Sequence, residues 1–378
     1  MRVLILHASA GAGHRRAAEA LAKAFGMRAA RAKITVADIL DYTPPVFRQT
    51  YADGYLRLVR KAPELWGYLF SHSDRNASKP WQRKVRSAFN RVNVTALTRF
   101  LAQFQPDMVL CTHFMALEVL STRARRRKFS CPYYGVVTDF AVHTLWIVEG
   151  VACYYVANED ARRQLLRRGQ PADRVVASGI PIDPVFAETA DPAAVRTQLG
   201  LDPSRPTILL SSGGYGVGSI PEIIRAFAGA DLNCQLIAVT GNNARMREDA
   251  LKAARGVSIP VAVLGLVNNM HELMDAADLI VSKPGGLTTS EALAKGKPVI
   301  VTDPIPGQEQ RNCEHLLESG AALRLFETGD APHRVRMLLD NPERLEQMKE
   351  NARQLGRPNA ALEIADDVLA RHQDGVAS

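Results

Sequence analysis

Eleven short apolar runs, separated by helical patterns, constrain the fold of this chain more than any other feature of its sequence. Strands and helices that alternate in this way are typical of a parallel sheet covered by helices on both faces. The runs form a set of six and a set of five, so we predict an α/β protein with two doubly wound, Rossmann-like domains. The runs are residues 3–6, 34–36, 108–111, 133–137, 154–156, 175–177, 208–211, 236–239, 261–264, 279–281 and 299–301.

Proline-rich breaks in the pattern indicate where the domains end. The segment 178–184 is short and contains two prolines, and Gly356-Arg357-Pro358 interrupts a helical pattern further along. We therefore predict an N-terminal domain over 1–182, a C-terminal domain over 183–355, and a separate last helix over 356–378. A length of 378 residues agrees with two domains.

Charge is divided unevenly between the two predicted domains. Residues 1–182 carry 28 Lys and Arg against 13 Asp and Glu, a net charge of +15. The remaining residues carry 19 against 26, a net charge of −7. A basic half joined to an acidic half suggests that the basic half faces an anionic surface, for which membrane phospholipid and nucleic acid both qualify.

Bulk composition narrows the cellular setting. Apolar residues make up 47% of the chain, and no run approaches the roughly 20 apolar residues of a membrane-spanning helix. The first strand begins directly after the N-terminus, without a pattern typical of a signal peptide. The five cysteines are widely spaced and odd in number, which indicates neither a disulfide framework nor a zinc site. We expect a cytoplasmic protein.

The turn after the run 279–281 predicts an anion-binding site. Pro284, Gly285 and Gly286 follow this run, and a helical pattern opens at Thr288. The free N–H groups and the positive dipole end of such a helix point at the turn. We therefore expect a phosphate-bearing ligand here. Thr288 and Glu291 also have the spacing of a capping box, in which the carboxylate would serve the helix itself.

A second glycine-rich loop, residues 7–14, follows the first predicted strand and ends at His14. We predict a helix from there to Phe25, ended by Gly26. His14 lies at the carboxyl edge of the predicted sheet, where open α/β folds bind ligands, and its ordinary pKa suits a proton acceptor. Spacing alone favours the other interpretation, a solvent-exposed histidine that merely begins the helix.

The stretch 282–312 resembles the donor-binding half of glycosyltransferase family 28, most closely its monogalactosyldiacylglycerol synthases and processive diacylglycerol glucosyltransferases. The resemblance covers nearly the whole chain and implies the GT-B fold: two Rossmann-like domains facing across a cleft, with the last helix crossing back. It implies an inverting transfer of glucose or galactose from a UDP-sugar to a membrane lipid, 1,2-diacylglycerol, giving a β-glycolipid.

The resemblance also implies roles on the acceptor side. The Gly-x-Gly-His loop, which includes Gly13, is similar to the family's acceptor loop, in which the histidine is the proposed base; His14 is then the catalytic base. The pattern Thr-Asp-x-x-x-His-x-x-Trp places Asp139, His143 and Trp146 near the acceptor. From the residues alone, Asp139 could orient His14, bind an acceptor hydroxyl or cap the next helix.

On the donor side, glycine-rich residues after the run 208–211 are suited to a diphosphate because their backbone lies open. By resemblance, the backbone near Val267 reads the uracil, Glu291 grips the ribose hydroxyls, and Gln308 and Glu309 face the sugar. An Asp-x-Asp pair is absent from the sequence, so we expect neither a metal nor another cofactor. The predicted donor-binding residues are Gly213, Gly214, Gly216, Asn242, Val267, Met270, Gly285, Gly286, Leu287, Thr288, Glu291, Gln308 and Glu309.

Aromatic and basic residues are interleaved between Tyr42 and Arg91, and a second basic cluster covers residues 123–128. Such a composition fits attachment to an anionic membrane surface, with Trp66, Trp81, Arg83 and Lys84 as candidate contacts. For individual aromatic residues of the segment a place in the core is the commoner case, whereas membrane contact is the expectation for the segment as a whole. Nucleic acid is a rival partner, but no recognition motif supports it. The sequence leaves the oligomeric state open.

Two other classes remain compatible with the sequence. UDP-N-acetylglucosamine 2-epimerases and transferases that make peptidoglycan lipid intermediates share the GT-B fold and bind UDP-sugars. A non-enzymatic sensor of UDP-sugars on the membrane is the third possibility, which an intact His14 disfavours.

Overall fold

The computed structural model describes residues 1–9, 11–48, 64–65, 67–68, 72, 74, 95–125, 129–213, 216 and 218–377. These residues divide into two compact units, each built around a six-stranded sheet. The first unit comprises Met1–Pro184, Ile305–Gln308 and Asn359–Ser378, and the second comprises Val185–Pro304 and Glu309–Pro358.

The sheet of the first unit is parallel throughout, with strand order β2-β1-β3-β4-β5-β6. The chain leaves β1 to one side and returns to its other side at β3, so the strand order reverses between them. In open α/β sheets the crevice at such a switch point is where ligands bind. The strands are β1 Arg2–His7, β2 Lys33–Asp38, β3 Met108–Cys111, β4 Tyr133–Val136, β5 Tyr154–Val156 and β6 Val175–Ala177.

Helices cover both faces of this sheet, because alternate residues of β1 enter different cores. Leu4 and Leu6 pack into one cluster with Leu97 and Leu120, whereas Val3 and Ile5 pack into the other. The helices of the unit are α1 Ala12–Arg28, α2 Thr95–Phe104, α3 Phe114–Arg125, α4 Glu159–Arg167 and, at the end of the chain, α13 Ala360–Ala377. Helix α13 contacts α1 and contributes to the second of these clusters.

The predicted end of α1 is wrong. The helix continues through Gly26 to Arg28, and its C-cap is Ala29, whose N–H donates to the carbonyl of Phe25. A glycine in a helix interior costs about 1 kcal/mol relative to alanine, which the packing of the neighbouring Phe25 and Ala24 in the core can offset. Tertiary burial therefore extends the helix past its local stop signal.

The second unit repeats the same architecture, with parallel strands in the order β12-β11-β10-β7-β8-β9. Here the order reverses between β7 and β10. The loops that follow these two strands are therefore neighbours at the carboxyl edge of the sheet. The strands are β7 Thr207–Ser211, β8 Gln235–Val239, β9 Val261–Leu264, β10 Leu279–Ser282, β11 Val299–Val301 and β12 Ala322–Arg324.

All eleven predicted strands are confirmed, and β12 was missed. This edge strand has three residues and ends in Arg324, so it lacks the apolar run that marks the others. The helices of the second unit are α5 Pro192–Gln198, α6 Ile220–Ala226, α7 Ala244–Ala254, α8 Met270–Ala276, α9 Gly286–Ala294, α10 Gln308–Glu318, α11 Ala331–Leu339 and α12 Pro342–Leu355. No helix formed by the described residues has both the length and the apolar character needed to cross a membrane.

Candidate active site

His14 is held by two polar partners at the switch point of the first sheet. Its Nδ1 lies 2.8 Å from the carbonyl oxygen of Thr112 and 2.9 Å from Oγ1 of Thr138. These residues follow β3 and β4, and α1, which carries His14, begins after β1. A carbonyl oxygen only accepts hydrogen bonds, so Nδ1 carries the proton and Nε2 keeps its lone pair. The ring is therefore in the tautomer that a general base needs.

Burial keeps this ring uncharged. It lowers the pKa of His14 to about 4, because desolvation penalises the imidazolium more than the Thr112 hydrogen bond favours it. The edge of the His14 ring faces His113, with 4.7 Å between the ring centroids. Burial also lowers the pKa values of His7 and His113. At neutral pH the three imidazoles are neutral, and His14 is able to accept a proton.

Two threonines of this cluster have no role among the sequence predictions, although Thr138 begins the pattern that contains Asp139. Thr112 is fully buried and, besides its carbonyl contact, its hydroxyl donates to the carbonyl oxygen of His14 at 2.8 Å. Thr138 is buried as well. Thr112 lies 98 residues from His14, so local spacing carries no sign of the contact. The only available signal was that each threonine directly follows a buried strand.

The other predicted acceptor residues follow β4 with differing exposure. Asp139 is partly buried beside Thr138. His143 accepts a hydrogen bond from the Leu145 N–H at 3.1 Å and so caps the short 3-10 turn Thr144–Trp146, a capping role that we had considered for Asp139. Trp146 is 2% exposed and belongs to the core. Acceptor contact by these residues stays a prediction, which the burial of Trp146 does not support.

The glycine turn of the second unit has no side chain that caps the first turn of helix α9. Helix α9 begins at Gly286, two residues before the predicted start at Thr288, and its N-cap is Gly285. A glycine N-cap has no side chain to occupy the free N–H groups of the first turn, and the sequence of that turn contains no carboxylate. A Cβ placed on Gly285 would meet nothing within 4 Å. The turn therefore offers N–H donors and space together.

A buried asparagine fixes the turn from behind. Asn312, which lies on α10, donates from Nδ2 to the carbonyl oxygen of Pro284 at 3.0 Å and is fully buried. The hydroxyl of Ser282 donates to the carbonyl of Ser211 at 3.0 Å, which joins the ends of β10 and β7. These contacts fix the conformation of the turn between β10 and α9. The sequence analysis assigned no role to Asn312.

The glycine-rich loop after β7 is held against the loop after β8. Gly216 has φ +58°, and a Cβ there would lie 2.4 Å from both the Thr240 carbonyl oxygen and Asn243 Cβ. Nδ2 of Asn243 donates to the Gly216 carbonyl at 2.8 Å, and its Oδ1 caps α7. Only glycine fits this position. Gly213 has φ +67° with open space around it, and the predicted Gly214 lies outside the described residues.

The position at which α9 begins rules out the capping-box role of Glu291. Because α9 begins at Gly286, Thr288 lies within the first turn and is not the N-cap. A capping box needs the threonine at the N-cap, so the capping-box interpretation is wrong. Glu291 is 2% exposed. Ribose binding by Glu291 stays a prediction, now without that competing explanation.

The remaining predicted donor residues lie at helix starts along the carboxyl edge of the second sheet. Met270 is the first residue of α8, and Val267 is partly buried just before it. Asn269 occupies the N-cap of that helix, but its side chain donates to Glu272 at 2.7 Å. Leu287 is buried in the first turn of α9, whereas Asn242 is exposed, and Gln308 and Glu309 begin α10.

The proposed membrane-contact residues Trp66, Trp81, Arg83 and Lys84 lie outside the described residues. Three aromatic residues of that segment are described: Tyr42 stacks on Phe100 with ring centroids 4.9 Å apart, Phe47 packs against the first core, and Tyr68 is 64% exposed. Tyr68 does not follow the core interpretation, whereas Tyr42 and Phe47 do. Within the described part of the chain, no group of three or more His, Cys, Asp or Glu side chains is arranged to hold a metal ion.

Comparison with known proteins adds two family models and full-length relatives. The model described as monogalactosyldiacylglycerol (MGDG) synthase matches residues 14–182, and that of glycosyl transferases group 1 matches residues 195–355. The processive diacylglycerol beta-glucosyltransferase of Bacillus mycoides is 30% identical over 372 residues, covering 98% of this chain and 94% of the relative. The chain belongs to the diacylglycerol glycosyltransferases of family 28.

A second relative of this glycosyltransferase, the processive diacylglycerol beta-glucosyltransferase of Bacillus cytotoxicus, is 30% identical over 97% of this chain and 93% of its own length. Solved structures share the fold. MurG of Acinetobacter baumannii superposes with a TM-score of 0.65 at 16% identity, covering 98% of this chain and 99% of MurG. UDP-GlcNAc 2-epimerase from Neisseria meningitidis gives 0.60 at 20% identity, covering 98% and 100%. The predicted GT-B fold is confirmed.

Proposed function

We propose that this protein transfers a hexose from a UDP-sugar to the free hydroxyl of 1,2-diacylglycerol, with inversion, giving a β-glycolipid. The observation that carries the proposal is the contact of 2.8 Å between Nδ1 of His14 and the Thr112 carbonyl oxygen, from which we infer that Nε2 is the basic nitrogen. Membership of the diacylglycerol glycosyltransferase family supports the donor and acceptor classes. The names of the relatives make UDP-glucose the first donor to test, with UDP-galactose as the alternative.

The second unit binds the donor in this proposal. The diphosphate lies against the N–H groups at Gly285 and Gly286 and the glycine-rich loop around Gly216. Backbone donors and the dipole of α9 offset the charge that develops on UDP as it leaves, and no metal or cofactor is required. Glu291 binds the ribose, and Gln308 and Glu309 bind the hexose. The absence of a side chain at the N-cap supports this assignment.

The chemical step is a single displacement. The acceptor oxygen attacks the anomeric carbon while its proton passes to Nε2 of His14. A bond forms between this oxygen and the carbon, and the bond from the carbon to the β-phosphate oxygen breaks. Because one displacement inverts the centre, an α-linked donor gives a β-glycoside. His14 then returns its proton to solvent.

The acceptor requires that the protein reach a membrane. We place it at the cytoplasmic face of the cell membrane as a peripheral protein, attached through the basic N-terminal half and its aromatic segment. The net charge of +15 over residues 1–182 supports attraction to anionic lipid, to which each basic residue near the surface adds about 1 kcal/mol. Sedimentation with vesicles at low salt tests this attachment. Equal pelleting with neutral and anionic vesicles would contradict it.

The transfer reaction is tested by incubating the protein with radiolabelled UDP-glucose, UDP-galactose or UDP-N-acetylglucosamine and vesicles that contain diacylglycerol. We expect labelled glycolipid from one of the two hexose donors, with a β-linkage by NMR. Glycolipid product only from the N-acetylglucosamine donor would contradict the proposed hexose donor. Loss of label from all three donors, without any lipid product, would overturn the proposal.

A further inference from the structure

Lys283 lies in the turn after β10, beside the glycine-rich loop after β7. No role was predicted for it from the sequence or from the family resemblance. It directly precedes Pro284 in the turn that leads into α9. A Cβ placed on Gly218, in the glycine-rich loop, would lie 3.9 Å from Cδ of Lys283. The aliphatic part of the Lys283 side chain therefore lies beside the glycine-rich loop. The whole side chain is only 11% exposed.

The ammonium group of Lys283 faces one carboxylate. Its Nζ lies 3.5 Å from Oε2 of Glu309, whose side chain is 21% exposed. This separation is longer than the 2.7–2.9 Å of a charge-assisted hydrogen bond. A buried cation with a loosely placed counter-ion can exchange that counter-ion for a better one at low cost, since the charge stays compensated throughout.

Two other buried lysines of the same unit show what a structural lysine looks like in this fold. Lys295 lies 2.7 Å from Asp275 and also donates to the Glu188 carbonyl. Lys297 donates to the carbonyls of Asp275 and Ala277 at 3.2 and 2.8 Å. Each has several short contacts that tie segments of backbone together. Lys283 differs, because the described residues supply it with a single carboxylate at the longer distance.

We propose that Lys283 is the side chain that binds the diphosphate of the donor, and that Glu309 holds its place until the donor arrives. This inference rests on the proposed function. When the diphosphate enters, Nζ of Lys283 moves from the carboxylate to a phosphate oxygen. Glu309, released from the ion pair, becomes an acceptor for hydroxyl groups of the hexose. One exchange thus couples charge neutralisation of the leaving group to recognition of the sugar.

Isothermal titration of UDP and of uridine into Lys283→Met and Glu309→Gln tests the exchange. Both substitutions break the same ion pair, but they have opposite consequences for the diphosphate. Lys283→Met should weaken UDP about 10- to 100-fold, the usual effect of losing a charged hydrogen bond, and leave uridine unchanged. Glu309→Gln should bind UDP at least as tightly as the original protein, because the competing carboxylate charge is gone.

Lys295→Met is the matched control, since it makes the same chemical change at another buried ion pair of the unit. It should leave the ratio of UDP to uridine affinities unchanged. Equal loss of UDP affinity in Lys283→Met and Glu309→Gln would mean that the pair is only structural and would overturn the inference. A protein that binds UDP normally with Met at position 283 would overturn it too and leave the proposed function intact. If the unsubstituted protein fails to bind UDP, the proposed function fails as well.

A measurement on the unsubstituted chain covers the case in which Lys283→Met does not fold. An amine-selective acylating reagent is applied, and modification of Lys283 is followed by mass spectrometry. UDP and inorganic pyrophosphate should slow its modification relative to Lys295, whereas uridine should not. Protection by uridine equal to that by UDP, or protection by neither, would contradict a phosphate contact.

Discussion

The two units share one architecture but prepare their carboxyl edges for different chemistry. In the first unit, the partly buried side chain of His14 has a lowered pKa, and Thr112 and Thr138 fix its tautomer. In the second unit, the candidate ligand groups are mainly backbone N–H groups at glycine turns. The difference fits the proposed function, because proton transfer needs a titratable group, whereas binding of a diphosphate needs several fixed hydrogen-bond donors.

The largest expected effect is loss of the proposed proton transfer in the first unit, with UDP binding by the second unit retained. His14→Ala should lower glycolipid formation by about 10²- to 10⁴-fold, the usual contribution of a general base, with UDP affinity unchanged. The measurement is the rate of transfer to diacylglycerol vesicles, paired with UDP titration. A variant that keeps more than a third of the activity would remove His14 from the chemical step.

The second prediction concerns the glycine-rich loop of the second unit, where backbone groups are the candidate ligands. Gly216→Ala forces a Cβ to within 2.4 Å of the Thr240 carbonyl at a left-handed backbone position, so the loop must move. We expect UDP affinity to fall about 10- to 100-fold, as when charged hydrogen bonds are lost. Gly229→Ala is the control, because Gly229 also has positive φ but open space around it. Equal UDP affinities in the two variants would contradict the role of the loop.

The third prediction concerns Glu291, a buried carboxylate of the second unit. Glu291→Ala should weaken UDP by about tenfold or more through loss of the ribose contact, and Glu291→Gln should weaken it less. Circular dichroism checks that the fold is retained. A folded Glu291→Ala protein with unchanged UDP affinity would refute the ribose role.

A smaller effect should sharpen the account of the base. Thr138→Val removes one of the two partners of His14 Nδ1 while the Thr112 carbonyl remains. We expect turnover to fall roughly threefold to tenfold, within the range for losing one hydrogen bond, with UDP affinity unaltered and with activity restored in Thr138→Ser. If the valine variant keeps full turnover and the same pH profile, the carbonyl alone positions the ring.

The smallest expected effect is on stability as a function of pH. The folded protein holds the pKa of His14 near 4, below the ordinary value of 6.5. As the pH falls from 6.5 towards 4, the unfolded chain takes up a proton that the folded chain does not, so stability is lost in that window. His14→Gln should make the melting temperature less dependent on pH there. His7 and His113, whose pKa values are lowered too, leave part of the slope in place.

Local pattern predicted most of the fold because a parallel strand buried on both faces is a continuous apolar run. The edge strand β12 was missed because Arg324 interrupts its apolar character. The glycine turn before α9 was also predictable, since its residues are contiguous in sequence, and anion binding there stays a prediction. The start of α9 was misplaced by two residues, because Thr288 looks like an N-cap only when the helix is read locally.

The sequence by itself determined the alternating α/β architecture, the uneven charge and the glycine turns, because each depends on residues close together in the chain. Tertiary structure alone decided the tautomer of His14 and the burial of Trp146. It also decided that Asn243 supports the loop after β7 and that Asn312 supports the turn after β10. These contacts join residues between 27 and 124 positions apart, in loops and helices that follow separate strands. Sheet order brings such strand ends together, and no local pattern records which partners will meet there.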